Sequence, residues 1–170
     1  MRISKEEYYL EIAKAVALRS PCLRRKYGAI IVKNDAIVST GYNGPARGST
    51  NCEEVGCIKE ILNLPHYSGY DYCPAVHAEE NAVINAARNG NSVIDGTLYL
   101  YGIDVKTNKP VAGMPCPRCK RVLINAGIKE VVTIDESGNI TKYDVRNWIE
   151  EDKNRYLDVV EKVKKNKLYK

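Results

Sequence analysis

The chain has 170 residues, of which 44% are hydrophobic and 28% charged, a composition typical of a globular domain. A chain of this length is expected to form one domain, spanning residues 1–170. It contains no apolar run of the roughly eighteen residues that a transmembrane helix needs. The N-terminus also lacks the apolar segment of a signal peptide. We therefore expect a cytoplasmic protein with no membrane partner.

The net charge of +5 is modest. Part of it lies in the terminal segment 162–170, which is interpreted as the solvated end of a helix. Proteins that bind nucleic acid usually present a broad basic surface, whereas the charges here are of mixed sign. We therefore expect no nucleic-acid partner, although the remaining positive charge favours a small anionic ligand such as a nucleotide.

Hydrophobic periodicity predicts alternating helices and strands. A first helix begins at Ser4, where Glu7 completes a capping box, and ends before Pro21. Three further helices are predicted at 77–89, at 115–126 and from Asp144 onwards, with caps at their ends. The predicted strands are 28–33, 36–40, 97–101, 130–135 and 140–143. This alternation predicts an α/β fold, a three-layer α/β/α arrangement around a mixed sheet of about five strands.

The segment 41–72 lacks periodicity, apart from a short predicted helix at 59–63. A loop of this length inside a compact domain needs something to order it. Four cysteines lie in or near this segment, namely Cys22, Cys52, Cys57 and Cys73.

These four cysteines are candidates for a second, structural zinc site, with His66 as a substitute ligand. Cysteines in a chain without an export signal also suggest metal ligands more than disulfides. The alternative is that they are free thiols that pack as small hydrophobic side chains. We favour the zinc site, because the loop otherwise has no core to order it.

Two short motifs carry the strongest chemical signal, His77-Ala78-Glu79 and the segment from Pro115 to Cys119. An imidazole and two thiols three positions apart are ligands that zinc prefers, and three protein ligands leave a fourth position open. Glu79 lies too close to His77 to chelate the same ion without strain, so we expect it to act as the catalytic acid–base.

Each motif is weak alone, because a C-x-x-C pair also occurs in redox sites and zinc ribbons. Glu79 alone could equally be a carboxylate at a helix N-terminus. Together the motifs match the H-x-E and P-C-x-x-C signature of zinc nucleobase deaminases.

Between residues 21 and 132 the chain resembles the cytidine/deoxycytidylate deaminase superfamily, and within it the deoxycytidylate deaminases. Four segments carry this resemblance: residues 22–31, Gly41-Tyr42-Asn43-Gly44, His77 to Ala82, and Pro115 to Cys119. The resemblance implies catalytic zinc on His77, Cys116 and Cys119, with proton transfer by Glu79 and a nucleotide contact by Asn43. It also implies a cytidine deaminase-like fold and hydrolysis of dCMP to dUMP and ammonia, which supplies dTMP synthesis.

The resemblance further implies homo-oligomers, either dimers or hexamers. It implies control by dCTP and dTTP, often with Mg²⁺ on the effector. Some members bind a structural zinc through cysteines placed like Cys22 and Cys52, which supports the second site.

Other features bear on the substrate. The chain departs from the family pattern by an insertion at 102–114, beside the expected substrate site. It has no phenylalanine, so a ring stacked on the base must come from Tyr, His or Trp148. Selectivity for a nucleotide requires a cation near the phosphate, and the candidates are Arg47 and Arg118.

Two alternative functions stay open at this point. One is deamination of another free nucleotide, nucleoside or base, or of adenosine in tRNA. The other is a non-enzymatic binding module that zinc stabilises.

Overall fold

The computed structural model describes residues 1–66 and 68–165. The helices are α1 (Lys5–Ala17), α2 (Cys52–Val55), α3 (Ile58–Ile61), α4 (Ala78–Arg88), α5 (Pro117–Ala126) and α6 (Asn147–Lys165). The strands are β1 (Arg25–Lys33), β2 (Ala36–Tyr42), β3 (Gly44–Pro45), β4 (Ala75–Val76), β5 (Thr97–Asp104), β6 (Pro110–Val111), β7 (Glu130–Ile134) and β8 (Ile140–Asp144). No helix within these residues has the length and hydropathy needed to cross a membrane.

The main sheet is mixed and has the strand order β2-β1-β5-β7-β8, with β6 paired to the end of β5. Strands β5 and β7 run parallel, and α5 connects them along the chain. The other neighbours in this sheet are antiparallel. The predicted α/β fold is confirmed. The sheet has six strands because β5 extends to Asp104 and the inserted segment returns along it as β6.

The central strands are buried on both faces, which explains why their sequences are almost continuously apolar. In β1, Ala29 and Ile31 pack in the core on the α4 side of the sheet. Ile30 and Val32 point the other way and pack with residues of α1. This two-sided burial produces the α/β/α layers.

Two glycines allow the helices to approach the sheet closely. A Cβ atom on Gly28 would lie 2.2 Å from the carbonyl oxygen of Ala13 in α1. A Cβ atom on Gly41 would lie 2.3 Å from the backbone nitrogen of Ala82 in α4. Both clashes involve backbone atoms of an opposing helix, so only glycine fits at these positions.

The helix boundaries confirm one expectation and correct two. The predicted capping box is present, with the Ser4 hydroxyl accepting from Glu7 N–H. Helix α5 has Cys116 as its N-cap, so Pro117, rather than Pro115, occupies the first turn. Helix α6 begins at Asn147, because Asp144 still belongs to β8.

Of the predicted helix end at 162–170, residues 166–170 lie outside the described part of the chain.

Candidate metal centre and active site

Three candidate metal ligands meet where two helices begin. His77 is the N-cap residue of α4, and Cys116 is the N-cap residue of α5. Nδ1 of His77 lies 3.6 Å from Sγ of Cys116 and 3.3 Å from Sγ of Cys119. The three ligand atoms lie within 4.8 Å of one another, and the described residues contain no other such group.

The geometry and chemistry of this group fit zinc. Zn–S bonds of about 2.3 Å and Zn–N bonds of about 2.0 Å, at tetrahedral angles, place the nitrogen and sulfur about 3.5 Å apart. The two observed separations of 3.6 and 3.3 Å bracket that value. One imidazole and two thiols also form a donor set that zinc prefers, with a fourth position left for water.

The start of α5 favours a thiolate at Cys116. Its Sγ accepts the backbone N–H of Cys119 at 3.5 Å. Hydrogen bonding from the Cys119 side chain, followed by that from His77, lowers the pKa of Cys116. The positive end of the helix dipole also favours a negative charge there. A metal cation is therefore stabilised by a ligand that ionises readily.

Glu79 lies in the first turn of α4 and is only 6% exposed. Burial raises the pKa of its carboxyl group above the ordinary value, and the charge of His77 partly opposes this shift. Its oxygens are not part of the ligand cluster. A buried carboxyl beside the ligands, with a raised pKa, has the properties of a group that takes up and returns protons.

A cavity of about 140 Å³ opens over this site. His77, Glu79 and Cys116 form part of its wall, and Met114 from the end of the insertion also contributes. Basic and aromatic residues line it as well, namely Arg24, Arg25, Lys59, Tyr27 and Tyr70. A concave space with a few convergent polar groups is the usual form of a small-molecule site.

Comparison with known proteins assigns this arrangement to a family. The profile described as "Cytidine and deoxycytidylate deaminase zinc-binding region" matches residues 3–135. The chain belongs to this family. The match contains all three candidate ligands and Glu79, and helix α6 lies beyond it.

Two curated relatives illustrate the similarity. The chain is 38% identical to deoxycytidylate deaminase of Schizosaccharomyces pombe over 133 residues, which is 77% of this chain but 37% of that protein. It is 36% identical to deoxycytidylate deaminase of Mycobacterium phage D29 over 137 residues, 78% of this chain and 95% of the relative. The chain therefore spans little more than a third of the yeast enzyme and nearly all of the phage enzyme.

A solved structure shares the fold. The dCMP deaminase of cyanophage S-TIM5, in complex with dCMP and dUMP, has a TM-score of 0.57 and 28% sequence identity. The aligned region covers 79% of this chain and 84% of that one.

The segment Gly41-Tyr42-Asn43-Gly44 brings Asn43 to the cavity wall. The Asn43 side chain is buried and also serves the fold. Its Oδ1 accepts from Ser20 Oγ and from Tyr27 N–H, both at 2.7 Å, and its Nδ2 donates to the Arg25 carbonyl at 3.0 Å. Asn43 therefore fixes the loop that follows the first helix, and its predicted nucleotide contact stays a prediction.

The two arginines predicted to contact phosphate lie elsewhere. Arg47 donates to Asn85 Oδ1 at 2.6 Å and lines a separate surface cleft with Arg88. Arg118 forms an ion pair with Glu80 at 2.8 Å. Neither residue lines the cavity over His77, so these positions do not support the predicted contacts.

The four cysteines predicted to hold a structural zinc all line the same cavity, as does His66. Burial raises the pKa of Cys52, and the charges of Cys22, Cys57 and Cys73 raise it further. The four thiols are therefore neighbours. In the described residues, however, no three of them lie within 4.8 Å of one another. The second zinc site stays a prediction.

Sequence reasoning missed the residues that shape the rest of the cavity. Arg24 lies in it with its side chain 11% exposed, and Tyr27 and Tyr70 supply rings. The Tyr70 ring lies 5.5 Å from that of His77. Trp148 is 2% exposed and packs in the core, which excludes it from stacking on a base. The signal available for Arg24 was its place in the loop directly before a central strand, because functional residues often lie on loops that a rigid scaffold positions.

Proposed function

We propose that this chain catalyses the hydrolytic deamination of dCMP to dUMP and ammonia. The observation that carries the proposal is a candidate three-ligand zinc site with a buried carboxyl beside it, at the wall of a cavity lined by basic and aromatic residues. The names of its relatives, and a neighbour bound to dCMP and dUMP, support this substrate.

Glu79 performs the proton transfers in this proposal. When bound, zinc lowers the pKa of a water molecule and makes a nucleophile available near neutral pH. Glu79 takes a proton from the attacking water and delivers it to N3 of cytosine, as carbon 4 gains an oxygen. Glu79 then takes the proton of the new C4 hydroxyl and passes it to the amine, so that the C4–N bond breaks, a C4=O bond forms and ammonia leaves. The raised pKa of the buried carboxyl suits it to hold a proton between these steps.

Arg24 is our candidate for contacting the phosphate. Its Nη1 is buried and has no hydrogen-bond partner in the described residues, although the side chain lines the cavity. Nη2 lies 3.3 Å from His66 Nδ1, and Nε forms an ion pair with Glu60 Oε1 at 3.0 Å but, like Nη1, has no hydrogen-bond partner in the described residues. A buried donor that lacks a partner is costly unless a ligand satisfies it.

The finer parts of the proposal concern cofactors and assembly. A second zinc would require Cys22, Cys52, Cys57 and Cys73 to close around the ion, and their shared cavity supports this. We also propose a homo-oligomer, dimer or hexamer, in the cytoplasm, with dCTP and dTTP as effectors and Mg²⁺ bound with them. These statements rest on the family resemblance.

A substrate panel tests the proposal. Purified zinc-loaded protein is given dCMP, dCTP, deoxycytidine, cytidine, cytosine and adenosine, and a tRNA, while ammonia release is measured. We expect dCMP to give the highest kcat/KM. A higher value for another nucleoside, base or tRNA would replace dCMP as substrate. Zinc binding without ammonia release from any compound would instead indicate a binding module.

A further inference from the structure

Glu80 and Arg118 connect the N-termini of the two helices that carry the zinc ligands. Nη2 of Arg118 donates to Oε2 of Glu80 at 2.8 Å. The same Oε2 accepts the backbone N–H of His77 at 3.0 Å. One carboxylate oxygen therefore joins the backbone of one zinc ligand to a side chain from the other ligand motif.

The sequence places both partners beside the ligands. Glu80 is the third residue of α4 and follows Glu79, whereas Arg118 lies between Cys116 and Cys119. A movement of α5 relative to α4 would change the separation between His77 Nδ1 and the two sulfurs. It would also have to stretch or break this contact.

An ordinary surface salt bridge contributes little to stability. This pair differs because of its surroundings. The Glu80 side chain is only 13% exposed, although that of Arg118 is 58% exposed. Glu80 also satisfies a backbone N–H at the start of α4 that has no partner within the helix. The carboxylate thus has a fixed position before Arg118 binds to it.

We propose that Glu80 and Arg118 are positioning residues that hold His77, Cys116 and Cys119 at zinc-binding spacing. They act on the metal site through the ligands, as groups behind metal ligands commonly do. The role deepens the proposed function and rests on the zinc site, not on the identity of the substrate. It also gives Arg118 a role other than the phosphate contact predicted for it.

The test is the zinc affinity of Arg118→Ala, Glu80→Ala and the double variant, measured by competition with a chelator in the absence of substrate. The Cys119→Ser variant serves as the background: the zinc that it still binds is subtracted, so that the titration reports only the site of His77, Cys116 and Cys119. Loss of a group that orients metal ligands costs about 10- to 100-fold in affinity. We expect about tenfold for Arg118→Ala and more for Glu80→Ala, which also loses the helix cap.

Arg121→Ala is the matched control. Arg121 lies on the same helix and pairs with Asp152 at 3.0 Å, but this ion pair leads to α6 and not to α4. Its loss should leave the zinc affinity unchanged. Arg118→Lys keeps the charge without the planar donor geometry and should recover only part of the affinity.

The double variant separates positioning from independent effects. If the pair acts as a unit, Arg118→Ala should cause no further loss in the Glu80→Ala background. The absorption spectrum of the Co²⁺-substituted protein should also change in Arg118→Ala, because the ligand geometry has changed.

Two results would overturn the proposal. The first is a wild-type zinc affinity in Arg118→Ala, and a raised KM for dCMP in that variant would then make Arg118 a substrate contact. The second is strict additivity of the Arg118 and Glu80 losses. Failure of the substrate panel would leave all these metal measurements intact, so the two proposals fail separately.

Discussion

The molecule contains two groups of cysteines that behave differently. Cys116 and Cys119 begin a regular helix and face His77 at ligand distance. The other four lie in and around a long segment whose helices, α2 and α3, have four residues each. They share a cavity, but no three of them lie at ligand spacing in the described residues.

The difference shows what local geometry can determine. Two thiols at positions i and i+3 of one helix start are brought together by the helix itself. The fixed approach of α4 and α5 to the sheet then adds the imidazole. Cysteines spread over residues 22 to 73 depend on the path of the loop. The first group therefore forms a complete donor set from its own packing, and the second would require zinc to complete it.

Replacing Cys119 with Ser should produce the largest effect, because it removes one of only three protein ligands. The variant should lose one zinc per chain and all measurable deamination. Metal analysis together with ammonia release checks this. Retention of wild-type activity would show that the ion is held elsewhere.

Arg24→Ala tests whether the part of the cavity that the four loop cysteines line binds the substrate without taking part in the reaction. A charge-assisted contact is worth about 1.5–3 kcal/mol, so KM for dCMP should rise roughly ten- to a hundredfold, with the zinc content unchanged. Arg47→Ala, in the separate cleft, is the control and should leave KM nearly unchanged. A raised KM in Arg47→Ala alone would reverse this assignment.

Gly41→Ala tests whether the close approach of β2 to α4, the helix that begins at His77, stabilises the fold. The added methyl group would clash with the backbone of Ala82 and Ala78. Overpacking of this kind costs about 1–3 kcal/mol, and urea unfolding should show it. Gly44→Ala is a milder control, because its nearest contact is a Pro21 side-chain atom at 3.1 Å. Equal stability of Gly41→Ala and wild type would contradict the packing described above.

Cys52→Ser should have the smallest effect. If the second zinc binds, the variant should lose one zinc per chain and melt at a lower temperature, yet retain the zinc held by His77. Differential scanning calorimetry with metal analysis measures both. One zinc per chain in wild type and variant alike would exclude the structural site.

The sequence was sufficient to predict the main helices and strands, whereas α2 and the short strands β3 and β4 were not predicted. The Ser4 capping box, the helix start at His77 and the apolar strands are local features with local causes. Their placement therefore follows from spacing alone. The sheet differs from the prediction where β1, β2 and β5 extend beyond their predicted ends and where the insertion returns along β5 as β6.

Side-chain direction was harder to predict. Arg47 and Arg118 are close in sequence to site motifs, but Arg47 binds Asn85 and Arg118 binds Glu80. Arg24 has no motif around it and reaches the cavity because β1 is central and Glu60 and His66 hold its guanidinium. Such contacts depend on tertiary packing, which spacing does not encode.

The central claim is that Glu79 transfers protons and does not bind the metal, and Glu79→Gln tests it most directly. The substitution keeps the size of the side chain and removes its acid–base function. Zinc content and ammonia release from dCMP are measured on the same sample. We predict full zinc content with turnover lowered about 10²- to 10⁴-fold. Loss of the zinc, or turnover close to that of wild type, would contradict the claim.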